Sequence, residues 1–429
     1  MAGTGSTYWN AASIERIAVN LTELSSPSVA VPPAPAGEAA RRQGGLAQGI
    51  ALMALVNMPS LALAALVPGL PQLFRQFSSV PHFELLVPMI ITVPSLCVAL
   101  TSGLAGVVAD RLGRRKLLLV ALLAFSLLGL APLMFDSLLL IVASRVVVGL
   151  AEAAILTVGN ALMGDYFEGA QREKWLGYQN MLSPLIGSAI LLSGGLLAGV
   201  HWRYPFLLYL SGLAVFALAW FACWEPHPGS AAAVPGSAAA MPFPWRPTLL
   251  VCGVTVLFSM VFFVQAVQHG RIFGDMGVAS PERISVLVTI ASLGTMAGGY
   301  LFKRLASVTI TVRLAVSMAL YGLCYVGVAW APNVSVGLPL DVLGQVGGGL
   351  LLPALVAWAL QHYRFEHRGR GMGLWGGSFF LGQFLSPPLV ALIGGAAGSF
   401  LASVAVIGTV CLLVAALLGV STLARRRAI

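Results

Sequence analysis

A chain of 429 residues that is 58% hydrophobic and only 9% charged, with a mean hydropathy of +0.90, lies outside the soluble globular class, where roughly a quarter of residues carry charge. The formal charge of +9 does not indicate nucleic acid, because Lys and Arg flanking apolar helices are the ordinary topology signal of a membrane protein. The five cysteines, Cys97, Cys223, Cys252, Cys324 and Cys411, are widely spaced without a ligand-like pair, and no metal or other cofactor is expected.

Residues 1–45 read as a polar tail that holds a weakly amphipathic piece (Ile14, Ile17, Leu21, Leu24) and a segment, SSPSVAVPPAPAGEAA, with the composition of a flexible or polyproline-like linker. It does not read as a secretory signal, since the first apolar run begins near Leu46 and is too long for one. Apolar stretches follow over residues 46–74, 84–108, 116–135, 138–163, 175–199 and 203–224. Six more cover 247–270, 282–303, 310–331, 336–362, 370–395 and 399–424. Each is near the ~20 residues that cross a bilayer as a helix. Between the sets lies EPHPGSAAAVPGSAAAMPFPWRP, a Pro/Gly/Ala/Ser-rich connector. The expected architecture is an all-α membrane protein with two six-helix bundles, 46–224 and 247–424, joined by a linker over 225–246 and ending in a basic tail over 425–429.

Cytoplasmic loops hold the excess of Lys and Arg. With both termini inside, nineteen of the 24 basic residues fall on the cytoplasmic side, against Arg75, Arg203, Arg271 and Arg283 outside and Arg145 within the membrane. The halves also echo one another. REKWLGYQNMLSP at the fifth span resembles RGRGMGLWGGSFF at the eleventh, aligning Arg172 with Arg368 and Gly177 with Gly373, as expected of parallel repeats. A substrate site is then expected between the halves.

Between the second and third spans the chain reads GVVADRLGRRKLLL. A short inside loop explains the cations Arg111, Arg114, Arg115 and Lys116 but not Gly106, Asp110 or Gly113. Gly106, one turn before Asp110, removes a side chain where another helix could approach. Asp110 could bond a helix N-terminus or an arginine in one conformation and release it in another. This segment resembles the G-x-x-x-D-R-x-G-R-R signature loop of the major facilitator superfamily. RVVVGLAEAA in the fourth span and WRYPF at the start of the sixth resemble further motifs of that family. The resemblance implies two six-helix bundles that rock around a central cavity. It also implies a cytoplasmic latch carried by Gly106, Asp110, Arg111, Gly113, Arg114, Arg115 and Asp165. The second-half copy, GGYLFKRLASVTI, lacks the acid. The fifth span, NMLSPLIGSAILLSGG, resembles a degenerate form of the family's antiporter motif, with Pro184, Gly187, Gly194 and Gly195 kept and Ser183 where glycine is usual. Small residues for tight helix packing read it equally well.

Arg145, Gly149 and Glu152 recur at i, i+4 and i+7, so they form one narrow stripe of the fourth span, the two charges about 10 Å apart along the axis. A charge at mid-bilayer costs roughly 2.5–3.5 kcal/mol on insertion scales, which marks such a residue as functional by default. A structural pair, or a snorkelling Arg145, is the blander reading. Glu152 is the acid expected nearest the midplane, Asp341 and Asp275 being assigned to external ends. Burial favours a neutral carboxyl and a nearby guanidinium an ionised one, so Glu152 is expected to carry a coupled proton and Arg145 to respond to its charge. Substrate-cavity candidates are Asn57, Asn160, Gln179, Gln268, Trp358, Trp375, Phe379 and Gln383. Trp375, Phe379 and Gln383 share one helix face, and a cavity with few charges and several aromatics suits an amphiphilic compound. His269 is expected to be solvated or hydrogen-bonded.

The expected function is secondary transport of a small amphiphilic or aromatic molecule, by proton-coupled export, in the cell membrane and by a monomer among lipids. The alternatives are an importer of an organic anion or sugar-like metabolite, with Arg145 meeting the anion, and a non-transporting membrane sensor or assembly partner. No phosphate loop, nucleophile elbow or metal cluster points to an enzyme.

Overall fold

The computed structural model describes residues 43–226, 243–364 and 367–427. Nearly all of the expected N-terminal tail, most of the linker and the end of the basic tail lie outside the described residues. The unit that begins at Gly44 is helical. Among the described residues twelve helices are long and apolar enough to cross a membrane. They are α1 (Leu46–Gln76), α2 (Phe83–Leu112), α3 (Arg114–Leu133), α4 (Leu138–Tyr166), α5 (Gly169–Val200) and α6 (Tyr204–Ala222). The second set is α7 (Trp245–Asp275), α8 (Pro281–Arg304), α9 (Ile310–Ala329), α10 (Val334–Gln361), α11 (Arg368–Ala397) and α12 (Phe400–Thr422).

Several helices outrun the apolar stretches that announce them. α5 begins at Gly169 and α7 runs to Asp275; Gln171, Arg172, Glu173 and Lys174 favour a helix as well as Leu does, so hydropathy marks the lipid-depth part and not the helix end. Prolines shape the interruptions. α1 breaks at Asn57 and again through a 3-10 turn at Val67–Gly69, where Pro59, Pro68 and Pro71 remove backbone donors. At its first break the Asn57 amide donates to the Met53 carbonyl at 2.7 Å. Between α2 and α3 the whole turn is Gly113, with φ of +94°, a conformation that an L side chain resists.

Of the four apolar clusters among the described residues, the two largest divide between the halves. One is built from residues of α1 to α6 and the segment just after, and a second from residues of α7 to α12. Within the halves α2 packs on α4, α7 on α11, and α10 on both α8 and α9. Across the halves α2 packs on α11 and α5 on α8, a pair of contacts that exchange under the repeat. The end that carries Gly113 is called the loop end below, and the opposite one the far end.

Candidate functional site

At the loop end a polar chain links four elements. Arg114 is ion-paired with Asp165 at the end of α4, and its guanidinium lies 3.4 Å from Asp110 one turn back. Glu225, just after α6, accepts hydrogen bonds from the backbone N–H groups of Arg114 (2.6 Å) and Arg115 (2.9 Å). A carboxylate there satisfies the first donors of α3 and meets the positive end of its dipole. The Arg115 guanidinium donates to the Trp220 carbonyl at 2.8 Å and lies over the Trp220 ring. Gly113 fits because a Cβ would stand 3.0 Å from the Glu225 carboxylate. Arg111 is exposed. Gly106 permits no unusual approach, since a methyl there would make only a 3.7 Å contact with Thr157. All these contacts stay within the first six helices. Glu225 was missed by the motif reading; its signal is an acid directly after a span, facing a basic helix start.

The stripe on α4 faces into its own half. Arg145 is fully buried and donates to the carbonyls of Leu128 (3.1 Å) and Gly129 (3.2 Å) at the end of α3, with Phe206 and Tyr209 of α6 against its guanidinium plane. Gly149 touches α2, where a Cβ would sit 2.8 Å from the Pro94 carbonyl oxygen and from Cys97. Glu152 is 3% exposed. Arg145 does not snorkel, and no ion pair joins it to Glu152. Instead Arg145 Nη1 and Glu152 Oε1 are both buried without a hydrogen-bond partner. Arg145, Cys97 and Tyr209 are the ionisable groups within electrostatic reach of Glu152.

The far end is closed by small residues. Gly270 of α7 lies against the Val67 carbonyl of α1, and Gly274 against Pro71. Gly195 and Gly199 of α5 lie against Ser285 and Glu282 of α8, and Gly194 against the Ala65 backbone. Gly194 and Gly195 of the degenerate motif therefore serve close packing, whereas its Gly187 does not. Arg271 of α7 seals the same end, its guanidinium 4.6 Å from the centre of Phe74 and 4.3 Å from that of Phe400. Toward the loop end the seam loosens. A side chain at Gly177 or Gly187 of α5, or at Gly373 or Gly376 of α11, would meet open space.

The cavity candidates are dispersed. Asn160 is exposed on α4, Gln179 half-buried on α5, and Gln268 2% exposed with its carbonyl oxygen unpartnered. Trp375 stacks on Phe379 at 5.6 Å, and Phe379 meets Phe263 of α7 at 5.0 Å. Trp358 is half-buried with its ring 4.6 Å from His362, and Gln383 is 6% exposed. The aromatic stripe of α11 is thus largely a packing surface on α7.

The second half holds a polar cluster that the sequence reading did not assemble. Asp341 of α10 is fully buried rather than at an external surface, and His269 of α7 is 2% exposed. His269 Nε2 lies 3.2 and 3.1 Å from the two carboxylate oxygens of Asp341. The Gln265 amide donates to the same carboxylate at 2.7 Å and to the Asp341 carbonyl at 2.9 Å. Gln345 Nε2 approaches His269 Nε2 at 3.3 Å, while its carbonyl accepts from the Thr295 hydroxyl at 2.7 Å.

Comparison with known proteins fits this architecture. The family model described as Major Facilitator Superfamily matches residues 50–343 and again 273–428. The tetracycline resistance protein, class C, of Escherichia coli is 25% identical over 376 residues, covering 82% of this chain and 90% of its own. The bacillibactin exporter of Bacillus subtilis is 24% identical over 364 residues, covering 80% and 89%. A bacterial homologue of the human lysosomal transporter Spinster, solved in an inward-facing and occupied conformation, superposes with a TM-score of 0.68 at 15% identity, over 86% of this chain and 95% of that one. The chain belongs to the major facilitator superfamily, whose members are secondary transporters and not enzymes.

Proposed function

We propose that the protein exports a small amphiphilic or aromatic molecule in exchange for protons, as a monomer in the cytoplasmic membrane with both termini in the cytoplasm. The observation that carries this reading is Glu152, a buried carboxyl in a span with no counter-charge in contact and one oxygen unpartnered. An ionised carboxylate so placed is costly, so a proton is the ligand it calls for. Protonated, Glu152 rests in the apolar α2–α4 interface. Deprotonated, it is drawn to the free Nη1 of Arg145, about two turns away. Both residues stand on α4, so closing that distance requires their side chains to reorient, which loosens the contacts of Arg145 with α3 and α6 and couples the charge to the packing of the first half.

The expectation from the sequence that nineteen of the 24 basic residues share one side, that of the Gly113 loop, supports a cytoplasmic loop end. The state described above is then open to the cytoplasm and closed outside. The halves, 46–224 and 247–424, rock about the α2–α11 and α5–α8 contacts, with 225–246 as connector. The latch is the chain Asp110–Arg114–Asp165, with Glu225 and Arg115 fixing the start of α3. Names of relatives support export, since one confers tetracycline resistance and another exports bacillibactin. An anion importer is less well supported: Arg145 is enclosed by α3 and α6 and offers no face to a substrate.

The test is transport of tetracycline and a panel of amphiphilic dyes by proteoliposomes under an imposed pH gradient. Wild-type protein is expected to move at least one of them against its gradient, and Glu152→Gln to lose the response to pH. A Glu152→Gln protein that the pH gradient still drives overturns the assignment.

A further inference from the structure

Among the described residues each half buries one carboxyl, and the proton reading above uses only that of the first. Asp341 is fully buried, and His269 is the ionisable group paired with it. Beside Asp341 stand the ionisable groups Tyr321 and Cys324 from α9, with Tyr325 of α9 and Cys411 of α12 behind them, none of them basic. α8 brings the hydroxyl of Thr295, and α1 the uncharged backbone at Val67 beside Gly270. On α7 itself, Arg271 is turned to Phe74 and Phe400 instead.

With one proton between them, His269 and Asp341 are net neutral. Removing it leaves a buried carboxylate held by the Gln265 amide and the neutral His269 ring without a counter-charge, and adding another leaves an imidazolium without one; both are penalised at this depth. The pair is therefore built to hold one exchangeable proton.

The neighbours of His269 Nε2 make opposite demands on it. The Asp341 carboxylate wants an N–H from that nitrogen, whereas the Gln345 amide nitrogen, as it stands, wants a lone pair. The conflict is resolved by a half-turn of the Gln345 amide. Its carbonyl then accepts from His269 N–H, and its NH2 donates to Thr295, whose hydroxyl can either donate or accept. Both protonation states thus have a bonded arrangement, and the Gln345–Thr295 pair follows the proton.

Thr295 is the exposed member of the chain. At 100° per residue it falls on the face of α8 that carries the buried Ile284, Val288 and Ala291, opposite the exposed Val286, Ile290 and Leu293. Its exposure is toward the interior space and away from lipid. At the other side, Gly270, next to His269, lies on the α1 backbone, so separating the halves at the far end uncovers the ring. The proton can thus be reached through Thr295 in this state and past Gly270 in the opposite one.

We infer that His269 and Asp341 form a second proton-binding site of the transporter, between α7 and α10, gated by Gln345 and Thr295 and exchanged to opposite sides as the halves rock. This rests on the proton-coupled reading for its role in transport but not for its chemistry. Only an N–H or O–H bond is exchanged for a bond to water.

The test needs no substrate. The full chain in lightly buffered proteoliposomes is acidified from about pH 9 to about pH 5, and proton uptake is read with an indicator dye. Asp341→Asn and His269→Gln are each expected to lower uptake by one proton per chain. The double variant is expected to lower it no further, because the proton belongs to the pair. Glu152→Gln should remove a different proton, additively. Unchanged uptake in both single variants, or losses that sum in the double variant, overturns the proposal. Should Asp341→Asn not fold, His269→Gln decides alone. If the pair's proton is found but Glu152→Gln changes nothing, the Glu152 reading fails and this one stands.

Discussion

Glu152 on α4 and Asp341 on α10 belong to the corresponding fourth helix of each half, and both are withdrawn from solvent. Asp341 has a histidine ring beside both carboxylate oxygens and a glutamine amide donating to Oδ1, while its Oδ2 accepts no hydrogen bond. Glu152 has an unpartnered oxygen, and the cation of its own helix is occupied with carbonyls and rings two turns away. A carboxyl with a titratable partner and an amide donor beside it contributes to the fold and can share its proton with that partner. A carboxyl without such a partner in contact has no neighbour to take up its charge, so any change in that charge must be met by movement.

That contrast can be broken by stability measurements in detergent, beginning with the largest effect. His269→Ala strands the Asp341 charge, and removing one partner of a buried pair costs about 3–5 kcal/mol; denaturant unfolding followed by Trp fluorescence should show it, and a loss below about 1 kcal/mol would mean that Asp341 is held by Gln265 alone. Arg145→Ala leaves the Leu128 and Gly129 carbonyls without their donor, a loss of about 1–3 kcal/mol. Arg145→Lys should recover part of this loss but not the contact with Phe206 and Tyr209. Glu225→Ala uncaps α3 at an exposed position, where about 0.5–1 kcal/mol is expected, most of it restored by Asp and little by Lys. Glu152→Gln should have the smallest effect, within about 0.5 kcal/mol of the native protein or slightly stabilising, because no bond is lost and a buried carboxyl is replaced by a neutral amide. The same substitution should abolish pH-driven transport. A Glu152→Gln protein destabilised as much as His269→Ala would erase the distinction between the two acids.

The contacts of the loop-end residues were legible in the sequence to unequal degrees. Asp110, Arg114 and Asp165 do meet, as the signature loop implied. Gly113 is held by its backbone conformation and by Glu225, an acid that no motif announces because it lies more than a hundred residues along the chain from the arginines it caps. Arg145 and Glu152 share a helix face as their spacing requires, but a face has no address in the sequence. The contacts of α4 with α2, α3 and α6 decide that it looks into its own half. Asp341 shows the limit most sharply. It lies about 10 Å along α10 from Val334, a depth compatible with solvent from one dimension alone, yet its carboxyl is sealed by α7.

The sequence by itself determined the number of spans, the division into two sets of six and the family, because hydropathy over about 20 residues and a short charged loop are local properties. Only the tertiary structure decided which charges have partners. His269 and Asp341 are 72 residues apart in the chain, and their pairing depends on how α7 and α10 pack. It depends as well on Gly344, which lets the Gln265 amide approach α10 by presenting no side chain in its way.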